Sequence, residues 1–126
     1  MKYFLLILIF SCSSAFDRST GLQVYKDSDE LPEFPGGGRE QHRFFYKLMS
    51  YPQEQAGENF EGVIRGSFII TKSGSSTGYR IEDRSEKDYT SLDKEFIRVA
   101  RLMPKWKPGR CNGKKVAVRV FYTINF

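Results

Sequence analysis

The chain has 126 residues, of which 40% are hydrophobic and 15% aromatic, so one domain with a packed core is expected and wholesale disorder is excluded. Its 20 Lys and Arg against 15 Asp and Glu give a formal charge of +5, spread along the chain, which argues against a dedicated nucleic-acid binder. One His and two Cys offer too few groups for a nucleophile–base pair or a metal centre, so we expect neither an enzyme nor a cofactor.

The N-terminus has the three parts of a secretory signal. Lys2 supplies a positive start, Tyr3–Phe10 is an unbroken apolar run, and the residues up to Ala15 are mostly small. The run is shorter than the roughly 20 apolar residues that a membrane-spanning helix needs. The pattern predicts an exported protein with a signal peptide at residues 1–15.

The processing of this signal has alternatives. Ser13 and Ala15 suit cleavage after Ala15, whereas the sequence Ile-Phe-Ser-Cys ending at Cys12 is similar to a lipoprotein box, in which Cys12 is lipidated. An uncleaved signal is a third route, so the membrane would be contacted only through a lipid or the signal itself. Because Cys12 is removed on the first route and capped on the second, we expect Cys111 to have no disulfide partner.

The polar composition of residues 16–30 predicts a flexible lead-in. The prolines and glycines of Leu31–Gly38 then mark the beginning of a domain over residues 31–126. A short helix is predicted over Arg39–Met49 from its apolar stripe, and Pro52 ends it.

The middle of the chain predicts a hairpin followed by a second helix. Gly62–Gly74 and Thr77–Asp83 alternate apolar and polar residues on either side of a glycine turn, which is typical of two antiparallel strands. Apolar residues at helical spacing from Leu92 to Met103 predict a helix that Thr90 caps and Pro104 ends.

The segment Leu102–Arg110, LMPKWKPGR, admits two interpretations. A Trp among cations is typical of a surface on which nucleic-acid bases stack, and equally of a helix end followed by a rigid turn. Export separates the protein from nucleic acid, and the flanking patterns favour the turn. We therefore expect Trp106 to pack between helix and sheet.

The last segment, Lys114–Phe126, alternates over its whole length and predicts a long strand. At roughly 3.3 Å per residue it would span about 40 Å, more than a short hairpin can cover, so part of it is expected to be an exposed edge. The element order predicts an α+β fold, with two helices packed on one face of a small three-stranded antiparallel sheet. One face of the last strand would hold Val116, Val118, Val120, Tyr122, Ile124 and Phe126.

With these elements placed, residues 31–126 resemble the C-terminal domain of TonB, the energy transducer of the Gram-negative periplasm. Five ordered segments carry the resemblance: PEFPGG at Pro32–Gly37, Tyr51-Pro52, FEGVIRGSFII at Phe60–Ile70, MPKWKPG at Met103–Gly109, and the C-terminal GKKVAVRVFYTINF. Gly66 departs from the pattern, since the family tends to place a β-branched residue there. The resemblance implies two helices against a three-stranded antiparallel sheet.

The resemblance also implies a function. TonB domains bind the TonB-box peptide of outer-membrane transporters as an added strand, a step in energy-dependent transmembrane transport. Without a recognisable motor helix or proline-rich linker, we expect the binding half of that function alone. The positions implied for peptide binding are Tyr51, Pro52, Val116, Val118, Arg119, Val120, Phe121 and Tyr122.

Two further expectations concern partners. An exposed strand edge would permit a strand-exchanged homodimer. The alternative to a TonB-like peptide binder is an exported structural or regulatory domain that contacts other proteins of the cell envelope.

Overall fold

The structure is a computed structural model, and it describes residues 12–50 and 62–125. Within those ranges no helix has the length and apolar character needed to cross a bilayer. The two helices are α1, Gly38–Leu48, and α2, Ser91–Ala100. The strands are β1, Ser14–Asp17; β2, Leu22–Tyr25; β3, Val63–Ile70; β4, Ser76–Ile81; β5, Gly109–Cys111; and β6, Lys114–Asn125.

The sheet is larger than the sequence predicts. The α+β class and the two helices are confirmed, but the sheet has six strands in the order β1-β2-β6-β3-β4, with β5 paired to β6. The predicted hairpin is present as the antiparallel pair β3–β4, and β3 also pairs antiparallel with β6. The prediction of a purely antiparallel three-stranded sheet is wrong, because β2 joins β6 in parallel.

The additional strands come from the segment whose composition predicts a flexible lead-in. Its polar residues close a turn: the Asp17 carboxylate accepts hydrogen bonds from the hydroxyls of Thr20, at 2.6 Å, and Ser19, at 2.8 Å. These bonds lower the pKa of Asp17. Val24 is buried with Ile69 and Ala117 in a small cluster of its own. The polar residues therefore build a hairpin instead of a linker.

A disulfide joins this hairpin to the domain. Cys12 and Cys111 are bonded, with their Cα atoms 6.3 Å apart, so the expectation that Cys111 has no partner is wrong. That expectation assumed that Cys12 is removed or capped. Cleavage after Ala15 would remove Cys12 and half of β1, and a lipid on the Cys12 sulfur would exclude the disulfide. The processing of the signal stays a prediction.

The main core lies between the helices and one face of the sheet. Phe45 of α1 and Phe96 of α2 are fully buried and stack with ring centroids 5.2 Å apart. Trp106 is 5% exposed and meets the rings of Phe34 and Phe68 edge-on, each at 5.5 Å. The prediction that Trp106 packs between helix and sheet is confirmed.

Gly66 makes room for this core. A Cβ atom at this position would overlap the ring of Phe96, and the nearest atoms belong to the buried end of that ring. The Phe96 ring of α2 therefore fills the space that a side chain at Gly66 of β3 would occupy. A β-branched residue cannot share the space with Phe96.

The helix α2 begins with the predicted cap. Thr90 and Asp93 form a capping box, in which the Thr90 hydroxyl accepts from the Asp93 amide and the Asp93 carboxylate accepts from the Thr90 amide. The same carboxylate is fully buried and binds the guanidinium of Arg84 through two bonds of 2.8 and 2.9 Å. Burial by itself would raise the pKa of Asp93, but the bonds from Arg84 and Thr90 outweigh it and lower the pKa.

Removing the disulfide should destabilise the domain. For the Cys111→Ala variant we expect a loss of about 4 kcal/mol in the free energy of unfolding, because the crosslink closes a loop of about 100 residues. Urea denaturation measures the loss. Reductant should lower wild-type stability by the same amount and leave the variant unchanged. If reductant leaves the unfolding free energy of the wild type unchanged, the crosslink is contradicted.

The space at Gly66 can be tested with a matched pair of substitutions. Gly66→Ala should cost about 1–3 kcal/mol of unfolding free energy, because the new methyl group forces the Phe96 ring to move. Gly38→Ala is the control, since beyond its chain neighbours and the backbone of its own helix no atom lies within 4 Å of its added Cβ. Equal stability of the two variants by thermal or urea unfolding would rule out the close contact.

The buried Asp93 should make stability dependent on pH. Its pKa is lower in the folded than in the unfolded protein, so its ionised form stabilises the fold above the unfolded value of about 3.9, and that contribution is lost as the pH falls below it. Asp93→Asn should therefore show a shallower loss of stability between pH 5 and pH 2 than the wild type. Urea unfolding at several pH values checks this, and parallel pH profiles would refute it.

Candidate functional site

The strand β6 has a neighbour on both sides over only part of its length. On one side β3 pairs with Val118–Asn125. On the other side β2 pairs only with Ala117 and Val118, and the chain leaves the sheet after Tyr25. Among the described residues, no strand pairs with Arg119–Asn125 on that side. The exposed edge predicted for this strand is therefore present over its C-terminal half.

The direction of the backbone groups along this edge follows from one hydrogen bond. The Arg65 carbonyl accepts from the Glu82 amide at 2.8 Å, so the backbone of Arg65 points towards β4 and away from β6. Thr123 lies opposite Arg65 in the ladder. In an antiparallel pair, its N–H and C=O must then point away from β3, into the open edge.

Alternation extends this result along the strand. The backbone groups of Arg119, Phe121 and Thr123 point outward, whereas those of Val120 and Tyr122 bond to β3. An extended chain laid against the edge would meet a row of donors and acceptors at every second residue.

The side chains of the predicted binding residues fall into two groups. Val116 and Val118 are buried near Cys111, and Val120 and Tyr122 pack against the main core, so these four side chains face inward. Arg119 and Phe121 lie on the opposite face, and of the six predicted positions in β6 only Phe121 has an exposed side chain. Tyr51 and Pro52 lie outside the described residues.

Arg119 has a structural position below the hairpin. Its side chain is 9% exposed, and Nη1 donates to the Ser67 hydroxyl at 3.0 Å and to the Gly78 carbonyl at 3.1 Å. Ser67 in turn donates to Glu82. Burial lowers the pKa of Arg119, and the nearby Arg80 charge adds to that effect. This side chain ties β6 to β3 and β4 beside the open edge.

The helix α1 holds the far end of the same edge. Tyr122 and His42 share a hydrogen bond of 2.5 Å between Oη and Nδ1, and the Tyr46 hydroxyl donates to the Asn125 carbonyl at 2.8 Å. Burial, with a smaller contribution from Tyr46, raises the pKa of Tyr122 to about 12, so its hydroxyl stays neutral. These bonds fix the strand to the helix layer, and by the same alternation the Asn125 carbonyl belongs to the outward row, so Tyr46 occupies the last acceptor of the edge.

A cleft lies between the N-terminal hairpin and the sheet face that bears Arg80, Arg119 and Phe121. It has a volume of about 330 Å³, and Phe16 of β1 and Phe121 of β6 both line it. The sequence interpretation missed Phe16 and Lys26 on this cleft, because it assigned residues 16–30 to a linker. It also missed Thr123, whose outward amide becomes evident only from the pairing of β3 with β4.

One group of metal-type ligands occurs in the part of the chain that the structure describes. Cys12, Asp29 and Cys111 place their ligand atoms within 4.8 Å of one another. Both sulfurs are joined in the disulfide, so neither is available as a thiolate. Asp29 instead accepts a hydrogen bond from the Asn112 amide at 2.7 Å, next to the β5–β6 turn.

Comparison with known families places this architecture. The family model of the Gram-negative bacterial TonB protein C-terminal matches residues 47–126, a range that includes β3 to β5, α2 and all of β6. No curated protein matches the chain. The family comprises non-enzymatic, periplasmic interaction domains linked to transport. The match covers more than half of the sequence, and the chain belongs to the TonB C-terminal domain family.

Proposed function

We propose that this protein is a periplasmic domain that binds the TonB-box peptide of outer-membrane transporters by adding it as a strand to the open edge of β6. The observation that carries the proposal is the row of outward backbone groups at Arg119, Phe121 and Thr123. Strand addition uses such a row for affinity and the flanking side chains for selectivity.

The edge is already in the conformation that binding needs. Its other side is fixed to β3 by a regular register, and α1 holds its end through His42 and Tyr46. A docked peptide would therefore lose conformational freedom while the domain would lose little. The proposal concerns peptide binding by a non-enzymatic domain, and transmission of force is not part of it.

The disulfide supports a location outside the cytoplasm. Disulfides persist in oxidising compartments such as the bacterial periplasm. A bond between Cys12 and Cys111 therefore agrees with the exported, Gram-negative periplasmic location typical of the family.

Thr123→Pro should abolish peptide binding. Proline removes the outward amide donor and places its ring in the path of the docked strand, while the bonds from β6 to β3 are kept because they use the residues on either side. We expect at least about a tenfold loss of affinity for a TonB-box peptide, measured by isothermal titration calorimetry. Thr123→Ala is the matched control, since it keeps the amide and should bind like the wild type.

Amide hydrogen exchange provides a second reading of the same titration. The peptide should slow exchange at the Phe121 and Thr123 amides much more than at Val120 and Tyr122, which already donate within the sheet. Uniform protection, or protection confined to residues away from β6, would refute edge binding.

Protection of these amides by a second copy of the chain, seen as a concentration-dependent dimer without peptide, would indicate strand exchange instead. Capture of a different envelope protein on the same edge would favour the regulatory alternative.

A further inference from the structure

Two exposed aromatic residues line the cleft under the N-terminal hairpin. Phe16 is 63% exposed and Phe121 is 61% exposed, although they come from different ends of the chain. Ala15 and Val24 add further apolar surface to the same cleft. Large apolar side chains that are left exposed together are typical of a surface that a partner covers.

The cleft adjoins the position of a docked strand. Phe121 directs its backbone groups into the open edge and its side chain to the face that bears the hairpin. In a strand added there, the residue opposite Phe121 points its side chain to the same face, with Cβ atoms about 4.5–5.5 Å apart. That side chain would lie beside Phe121, on the face where Phe16 also lines the cleft.

The walls of the cleft are fixed within the fold. The disulfide and the pairing of β2 with β6 attach the hairpin at its base, and the hydrogen bonds to Asp17 close its turn. Arg119 is held in place by Ser67 and Gly78. The aromatic pair is therefore preorganised for a ligand.

The charges at the cleft restrict the occupant. Lys26, Arg80 and Arg119 line it together with Asp17 and Glu82. Arg80 lies 3.7 Å from Glu82, whereas the exposed Lys26 takes part in none of the ion pairs found among the described residues. The cleft therefore carries three cations against two anions, so a cationic side chain would meet a net positive charge, and the aromatic walls favour an apolar side chain.

We propose that the β1–β2 hairpin adds a side-chain subsite to the peptide-binding edge, in which an apolar residue of the docked strand lies between Phe16 and Phe121. This inference rests on the proposed function. The volume of about 330 Å³ is large enough for a side chain of leucine or phenylalanine size, which would bury more apolar surface there than alanine.

The test is a double-mutant cycle between the hairpin and the peptide. A seven-residue TonB-box peptide and variants with each apolar residue replaced in turn by alanine are titrated by fluorescence anisotropy against the exported protein. In the wild type, one replacement should weaken binding about tenfold. In Phe16→Ala, the same replacement should change affinity less than about twofold, because its partner is already absent. Lysine at that peptide position should bind more weakly than alanine.

A matched control separates this effect from a general loss of apolar surface. Leu31 is 70% exposed and does not line the cleft, so Leu31→Ala should keep the full tenfold preference. If Phe16→Ala also keeps it while Thr123→Pro abolishes binding, the subsite is overturned and the edge-binding function stands. If the wild type binds no TonB-box peptide at all, both proposals are overturned.

Discussion

The antiparallel ladder between β3 and β6 is the contact on which the other elements depend. It runs without a register shift from Val63 opposite Asn125 to Ile70 opposite Val118. One face of the ladder receives both helices, and the other receives the N-terminal hairpin. Because side-chain and backbone directions both alternate along a strand, fixing this register also decides which groups of β6 face the core and which face the open edge.

Local patterns in the sequence were sufficient for much of this architecture. Both helices, the Thr90 cap, the β3–β4 hairpin and the buried role of Trp106 follow from periodicity and turn chemistry, which act over a few residues. The alternation in Lys114–Phe126 also gave the correct faces for the described part of β6. Of the predicted binding residues, Val116 and Val118 have buried side chains, and their part in binding stays a prediction.

The features that sequence reasoning missed are non-local. The hairpin at β1 and β2 has few apolar residues of its own, and its stability comes from β6, Ile69 and a bond to Cys111 near the other end of the chain. Similarly, a glycine at position 66 suggests a thin core until Phe96 is seen to fill the space. Identifying which backbone groups of β6 face the open edge required the direction of the Arg65 carbonyl, and that direction depends on the pairing of β3 with β4. No window of the sequence contains these relations.

The pairing of β2 with β6 also fixes the length of β6 that is left unpaired. Because β2 occupies the edge as far as Val118, a segment bound as proposed could pair only with Arg119–Asn125, a length of about 23 Å, at the end of which the Asn125 carbonyl already accepts from Tyr46. A longer segment gains no further backbone bonds unless it displaces β2, and the disulfide opposes that displacement. Under the proposed function, the length of the unpaired edge would therefore limit how many residues of a bound segment can form backbone bonds to β6.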